Sequence, residues 1–178
     1  MIIVMMITGL LIVGMKESAR FTHVMVFIKL ATIFTFIVAA GGHVETANWH
    51  PFMPFGFKGV VTGAAIVFFA YIGFDAVSTA AEEAKNPQRD LPIGIISSLV
   101  ICTILYIVVS GILTGVVYYK DLNTPAPIAF ALTRLGYTWG SALVAAGAVT
   151  GLSSVLVVLL MGQPRIFFAM ARDGLVWK

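Results

Sequence analysis

Two places in this chain put chemistry inside sequence that is otherwise apolar: the stretch Phe69-Ala70-Tyr71-Ile72-Gly73-Phe74-Asp75, and Lys29 within Val26-Phe27-Ile28-Lys29-Leu30. The first ends in a carboxylate, Asp75, that still lies within the apolar run Val60–Ala81. A run of that length crosses a bilayer, and a carboxylate in hydrocarbon is costly, which marks it as a site candidate. Gly73 sits between bulky aromatics, and glycine weakens a helix by roughly 1 kcal/mol relative to alanine. Two readings stand. In one, the helix opens here and offers backbone carbonyls to a cation. In the other, it runs on, its aromatics face lipid and Asp75 reaches the nearby interface.

Lys29 lies nine residues beyond Arg20, which at the rise of an α-helix is about 13 Å into its span. It either snorkels back to the surface or faces the bundle interior. Burial disfavours the charged form of a lysine, so an interior lysine gains and loses a proton readily and suits proton-driven coupling. Lys29 and Asp75 both fall toward the same membrane face, and the scarcity of titratable groups inside spans argues for one focused site. Ser153-Ser154 are polar within an apolar run; they line a path or bond back to their own helix, as hydroxyls in helices do.

Other chemistries lack residues. The chain has no G-x-x-x-x-G-K-[ST], no H-E-x-x-H and no G-x-S-x-G, so ATP-driven transport and hydrolysis have nothing to work with. His23, His43 and His50 are near span ends or in loops and do not suggest a metal site. No cofactor is expected. The single cysteine, Cys102, precludes an intrachain disulfide.

The elements that position these residues follow from composition. Of the 178 residues, 60% are hydrophobic and 11% charged, with mean hydropathy +1.00. Soluble domains carry about 25% charged residues, so the chain reads as an all-α, multi-pass membrane protein. Five spans are expected, at about 1–15, 21–40, 59–81, 93–119 and 139–162, the last extending as far as Met170 if the apolar pattern is followed. Lys16, Arg20, Lys85, Arg89, Arg165, Arg172 and Lys178 fall on one side, and Lys58, Lys120 and Arg134 on the other. The richer side is assigned to the cytoplasm, which makes the chain a cell-membrane protein with its end at Lys178 on the cytoplasmic side. The basic residues are scattered over separate loops, which excludes a nucleic-acid patch.

Between spans, Trp49-His50-Pro51-Phe52-Met53-Pro54-Phe55 suits a membrane interface. Pro125-Ala126-Pro127 followed by Ile128–Leu135 reads either as a short helix with proline in its first turn or as a plain loop. Glu82–Pro92 reads as a polar turn leading into the fourth span, with Pro92 near that span's first turn. The pairs Gly59/Gly63, Gly111/Gly115 and Gly147/Gly151 suit close helix contact.

The run Gly63–Asp75, Lys29 in its pentapeptide, Asn86-Pro87-Gln88-Arg89-Asp90-Leu91-Pro92, Met161-Gly162-Gln163-Pro164-Arg165 and Ala171-Arg172-Asp173-Gly174 occur in an order and spacing that resemble one family. It is the cationic amino acid transporter branch of the amino acid–polyamine–organocation superfamily, in a bacterial form. The resemblance covers essentially the whole chain and implies part of a five-plus-five inverted-repeat transporter fold, helices four to eight. It implies that the sixth helix unwinds at Phe69–Gly73, as discontinuous transporter helices do. The carbonyls of Phe69, Ala70 and Ile72 would then hold a substrate ammonium, with the ring of Phe69 as a gate and Asp75 just below. Lys29 would stand where sodium-coupled relatives hold sodium, so that its protonation drives transport. Leu159 would face the substrate side chain and suit a small neutral amino acid.

The implied activity is secondary active transport of amino acids with protons, by alternating access. The abrupt apolar start and the absence of the family's first three helices and of those after the eighth lead us to expect a piece of a longer chain. Its missing helices would be required partners, and this stretch alone would not transport. Two alternatives remain open from sequence: a short structural or regulatory membrane protein, and a channel subunit built from several copies.

Overall fold

A computed structural model describes residues 5, 8–9, 15–74, 77–78, 84 and 86–175. Five α-helices account for most of them: α1 (Met15–Gly41), α2 (Gly56–Phe68), α3 (Pro87–Val116), α4 (Pro127–Arg134) and α5 (Gly140–Arg172). Among the described residues there is no strand. Within α1, Arg20–Gly41 is long and apolar enough to cross a membrane, as are α3 and α5. The apolar run 1–15 lies almost wholly outside the described residues. Hydroxyls inside these helices bond back to the preceding turn, as Thr32 Oγ1 does to the Ile28 carbonyl (3.0 Å) and Thr35 Oγ1 to that of Ala31 (2.7 Å). An apolar helix thus carries threonine without leaving a polar group unpaired.

The chain divides into two compact units. One comprises Ile28–Ile72 and Val100–Val149. Its core is formed by Phe36 and Ala40 of α1, Val117 just after α3, and Ala131 and Leu132 of α4, all buried. Ile112 and Leu113 of α3 and Val144 of α5 pack against this cluster. The short helix is therefore the plug of the unit. Proline occupies its N1 or N2 position, where a missing N–H costs nothing. Its end is closed at Gly136, with Gly136 N–H donating to the Thr133 carbonyl and Tyr137 N–H to that of Leu132, both at 3.0 Å. That is the paired 5→2 and 6→1 ending that satisfies terminal carbonyls.

The connection after α1 folds onto the last turns of α3. Glu45 N–H (3.0 Å) and Asn48 Nδ2 (2.7 Å) both donate to the Gly115 carbonyl, and Trp49 Nε1 donates to that of Gly111 (3.2 Å). The last four carbonyls of a helix have no partners within it, and the loop supplies partners for that of Gly115.

The other unit comprises Met1–Phe27, Gly73–Leu99 and Thr150–Lys178. Ser154 and Val157 of α5 are buried in it, and Ser154 Oγ donates to the Gly151 carbonyl at 2.8 Å. The hydroxyl thus makes the back-bond that was one of the two readings of Ser153-Ser154. The end of α5 repeats the closing pattern of α4: Leu175 N–H reaches the Met170 carbonyl (2.9 Å) and Gly174 N–H that of Ala171 (3.3 Å).

Two local expectations are corrected, and one open extent is resolved. Pro92 does not begin a helix; α3 begins at Pro87 and carries Pro92 in its interior. The ring removes only the bond to the Gln88 carbonyl, and that carbonyl lies in an exposed polar turn, Gln88–Asp90, where water can serve it. The last helix takes the longer of its two expected extents, running to Arg172 through Pro164. The glycine pairs are not uniform contact stripes. A Cβ at Gly147 would fall 2.7 Å from Thr32 Cγ2, so α1 and α5 do approach closely there, whereas Gly63, Gly111 and Gly151 have nothing within 4 Å. Gly115 makes room for the loop, with Val44 Cγ1 2.6 Å from the position of its Cβ, rather than for another helix.

Candidate functional site

The helix α2 is apolar apart from Lys58 and Thr62, and none of its residues is buried. It ends while the apolar sequence continues. Phe69, its C-cap, still donates its N–H to the carbonyls of Ile66 and Val67. Phe69–Tyr71 then tighten into a single 3-10 turn, closed by Ile72 N–H to the Phe69 carbonyl at 3.3 Å. Ile72 is extended (φ −56°, ψ 131°), and Gly73 has φ +111°, a region that residues with a Cβ avoid. The opening at Gly73 is therefore a property of the backbone, and the reading of an uninterrupted helix is excluded. Phe69 and Ile72 expose most of their side chains. Asp75 lies outside the described residues.

The stretch is held from α3. Tyr106 Oη donates to the Ala70 carbonyl at 3.0 Å. Tyr71 Oη and Thr103 Oγ1 are 3.0 Å apart and hydrogen-bonded, and the Tyr71 and Tyr106 rings meet edge to face with centroids 5.3 Å apart. Such ring pairs add about 0.5–1.5 kcal/mol beyond area burial. Two of the three carbonyls named from sequence, those of Phe69 and Ala70, thus already accept one bond each, and a carbonyl oxygen has a second lone pair to offer. Sequence reasoning passed over Thr103 and Tyr106. Their signal was present as two side chains with hydroxyls one helical turn apart in an apolar run.

Lys29 is partly buried. It lies on the stripe of α1 that continues through Ile33 to the buried Phe36 and Ala40, at the four- and three-residue spacing of one helix face. The opposite stripe, Phe27, Leu30, Phe34 and Val38, is the exposed one. Thr32, one turn from Lys29, is the residue that meets Gly147 of α5. Lys29 therefore sits on the packed side of its helix. Phe69, Ala70 and Ile72 fall in the same unit as Lys29, while Gly73 and Leu159 belong to the other; Leu159 is 45% exposed on α5. Among the described residues no group of histidine, cysteine and carboxylate side chains could hold a metal ion.

A family model described as amino acid permease matches residues 1–177. The chain belongs to the amino acid permease family. This permease chain is 50% identical over 175 residues to the methylthioribose transporter of Bacillus subtilis (strain 168) and 51% identical over 176 residues to a branched-chain amino acid permease of the same organism. Each match covers 98% of this chain and 38% of the relative. It is 46% identical over 175 residues to cationic amino acid transporter 9, chloroplastic, of Arabidopsis thaliana, covering 98% of this chain and 31% of that one. The permease chain thus spans less than two fifths of the length of these relatives. The all-α expectation and the family resemblance are both borne out, and the relatives are transporters rather than enzymes.

Proposed function

We propose that this chain forms the part of an amino acid permease that carries the broken sixth helix, and that it moves an amino acid across the cell membrane by alternating access. The observation that carries this reading is the backbone opening at Phe69–Gly73 inside an apolar run, with Gly73 at φ +111°. Unwound backbone at membrane depth is tolerated where it lines a site, and its carbonyls suit the ammonium end of an amino acid. The carbonyls of Phe69, Ala70 and Ile72 bind that group, Phe69 closes over it, and Gly73 supplies the turn. The family resemblance assigns Leu159 to the substrate side chain. The relatives are named for methylthioribose, branched-chain amino acids and cationic amino acids, so the family scaffold takes different cargoes. An apolar Leu159 favours a small neutral one.

Coupling is assigned to protons through Lys29 and Asp75. Lys29 lies on the stripe of α1 that leads to the buried Phe36 and Ala40. Gaining a proton there alternates the local charge in step with substrate binding. The chain works together with the helices that its longer relatives carry outside the matched stretch, in a cell membrane, with the Lys178 end cytoplasmic.

The test is a chimera in which this chain replaces its matched stretch in the branched-chain amino acid permease of Bacillus subtilis, reconstituted in proteoliposomes. Labelled alanine uptake driven by an imposed proton gradient is the expected result, with Lys29→Ala abolishing the gradient dependence and labelled arginine excluded. Uptake that ignores the gradient in the unsubstituted chimera would remove the proton assignment. An absence of uptake of any amino acid would remove the transport reading.

A further inference from the structure

The turn at Phe69–Tyr71 faces a bookkeeping problem that α3 solves. In a continuous helix the Ala70 carbonyl would accept the N–H four residues on, from Phe74. The opening at Ile72 and Gly73 removes that partner. A backbone carbonyl left unpaired away from water costs about as much as a lost hydrogen bond, so an opened helix in an apolar setting tends to close again unless another donor steps in. Tyr106 is that donor, 3.0 Å from the Ala70 oxygen. The next residue, Tyr71, is tied to Thr103 one turn away on the same helix, and its ring rests edge-on against that of Tyr106. Backbone at residue 70 and side chain at residue 71 are thus fixed to a single face of α3.

We propose that Tyr106 is a positioning residue for the substrate site: its hydroxyl replaces the missing helical N–H, keeps the stretch unwound and leaves the second lone pair of the Ala70 oxygen aimed for a substrate ammonium. Thr103 supports it by holding Tyr71. Two consequences follow from the geometry. The broken stretch and the Val100–Val116 part of α3 move as one body when the transporter changes state. The energy that keeps the helix open comes from a neighbouring helix, so the site is formed before the substrate arrives and binding bears less of the ordering cost. This inference rests on the reading of Phe69–Gly73 as the substrate site, and its test separates the two.

Ala70-Tyr71 is the one Ala–Tyr pair in the sequence. Labelling alanine at its carbonyl carbon and tyrosine at nitrogen therefore selects the Ala70 carbonyl in solid-state NMR of the chain in lipid bilayers. Tyr106→Phe keeps the ring contact and deletes only the donor. The expected result is an upfield move of the Ala70 carbonyl signal, with a smaller move for Thr103→Val and none for Thr103→Ser. In the uptake chimera, Tyr106→Phe is expected to raise KM about three- to tenfold, the factor that one net hydrogen bond carries, with kcat unchanged. A loss of general packing would instead lower the amount of folded protein and leave KM where it was.

An Ala70 signal that does not move in Tyr106→Phe overturns the proposal. A signal that moves while KM stays constant also overturns it, and leaves the substrate site itself standing. If the unsubstituted chimera takes up no amino acid, the transport reading fails, and the NMR comparison alone decides whether Tyr106 holds the helix open.

Discussion

Replacing Gly147 with alanine tests the contact that places Lys29 on the packed side of its helix. The new Cβ would stand 2.7 Å from Thr32 Cγ2, 3.0 Å from its Cβ and 3.1 Å from its Oγ1. Carbon atoms pack at about 3.5–4.0 Å, so α1 and α5 must separate locally by most of an ångström. Otherwise Thr32 must rotate and give up its 3.0 Å bond to the Ile28 carbonyl. Overpacking of this kind costs about 1–3 kcal/mol, while alanine in a helix returns roughly 1 kcal/mol relative to glycine. The net loss for Gly147→Ala is therefore small, between about zero and 2 kcal/mol. Gly151→Ala, with nothing within 4 Å of its Cβ, carries the propensity gain alone. The difference between the two variants isolates the clash. In thermal unfolding in detergent it should separate their midpoints by about 2–4 °C for each kcal/mol. Thr32→Ala in the Gly147→Ala background should recover most of the loss. Equal midpoints for the two glycine variants would show that α1 and α5 do not meet at Thr32, and would withdraw the argument that Lys29 faces inward.

Leu132→Ala empties the fully buried centre of the plug helix and should cost about 2–5 kcal/mol, read from the same unfolding midpoint. Asn48→Ala removes the 2.7 Å bond to the Gly115 carbonyl while Glu45 N–H remains in place; it should raise hydrogen exchange across residues 44–50 and cost about 0.5–1.5 kcal/mol. Asp121→Asn breaks a 3.1 Å pair with Arg134 whose side chains are both about half exposed, and should leave the midpoint within about 1 kcal/mol of the unsubstituted chain. Gly73→Ala places a Cβ at φ +111° and should cost about 1–3 kcal/mol, moving the selectively labelled Ala70 carbonyl signal as the stretch rearranges.

The helical character of the chain was legible because apolar runs of about 20 residues mark membrane helices. The weak point at Gly73 was legible too, since a lone glycine among aromatics is a poor helix residue. Sequence could not show which neighbour would hold the opened backbone. Thr103 and Tyr106 are one turn apart on α3 and meet Ala70 and Tyr71 across more than thirty residues, a pairing that packing creates. Pro92 misled because a proline near a polar turn resembles a helix start, whereas the first exposed turn of α3 absorbs the lost bond. The glycine pairs misled because spacing marks a face and not what covers it: Gly147 meets Thr32, whereas Gly115 makes room for a loop. Lys29 was ambiguous until Phe36 and Ala40 identified the buried stripe of α1.

The most direct test of the central claim is thiol labelling at the opened helix. In the chimera, with Cys102 replaced by serine, a cysteine is placed by Phe69→Cys or by Ile66→Cys. Its reaction with a water-soluble thiol reagent is followed with and without saturating alanine. The account predicts that Phe69→Cys reacts readily and is slowed by alanine, and that Ile66→Cys, within the intact α2, is indifferent to it. If alanine leaves the rate at Phe69→Cys unchanged while uptake continues, the substrate does not sit at the break and the central claim is wrong.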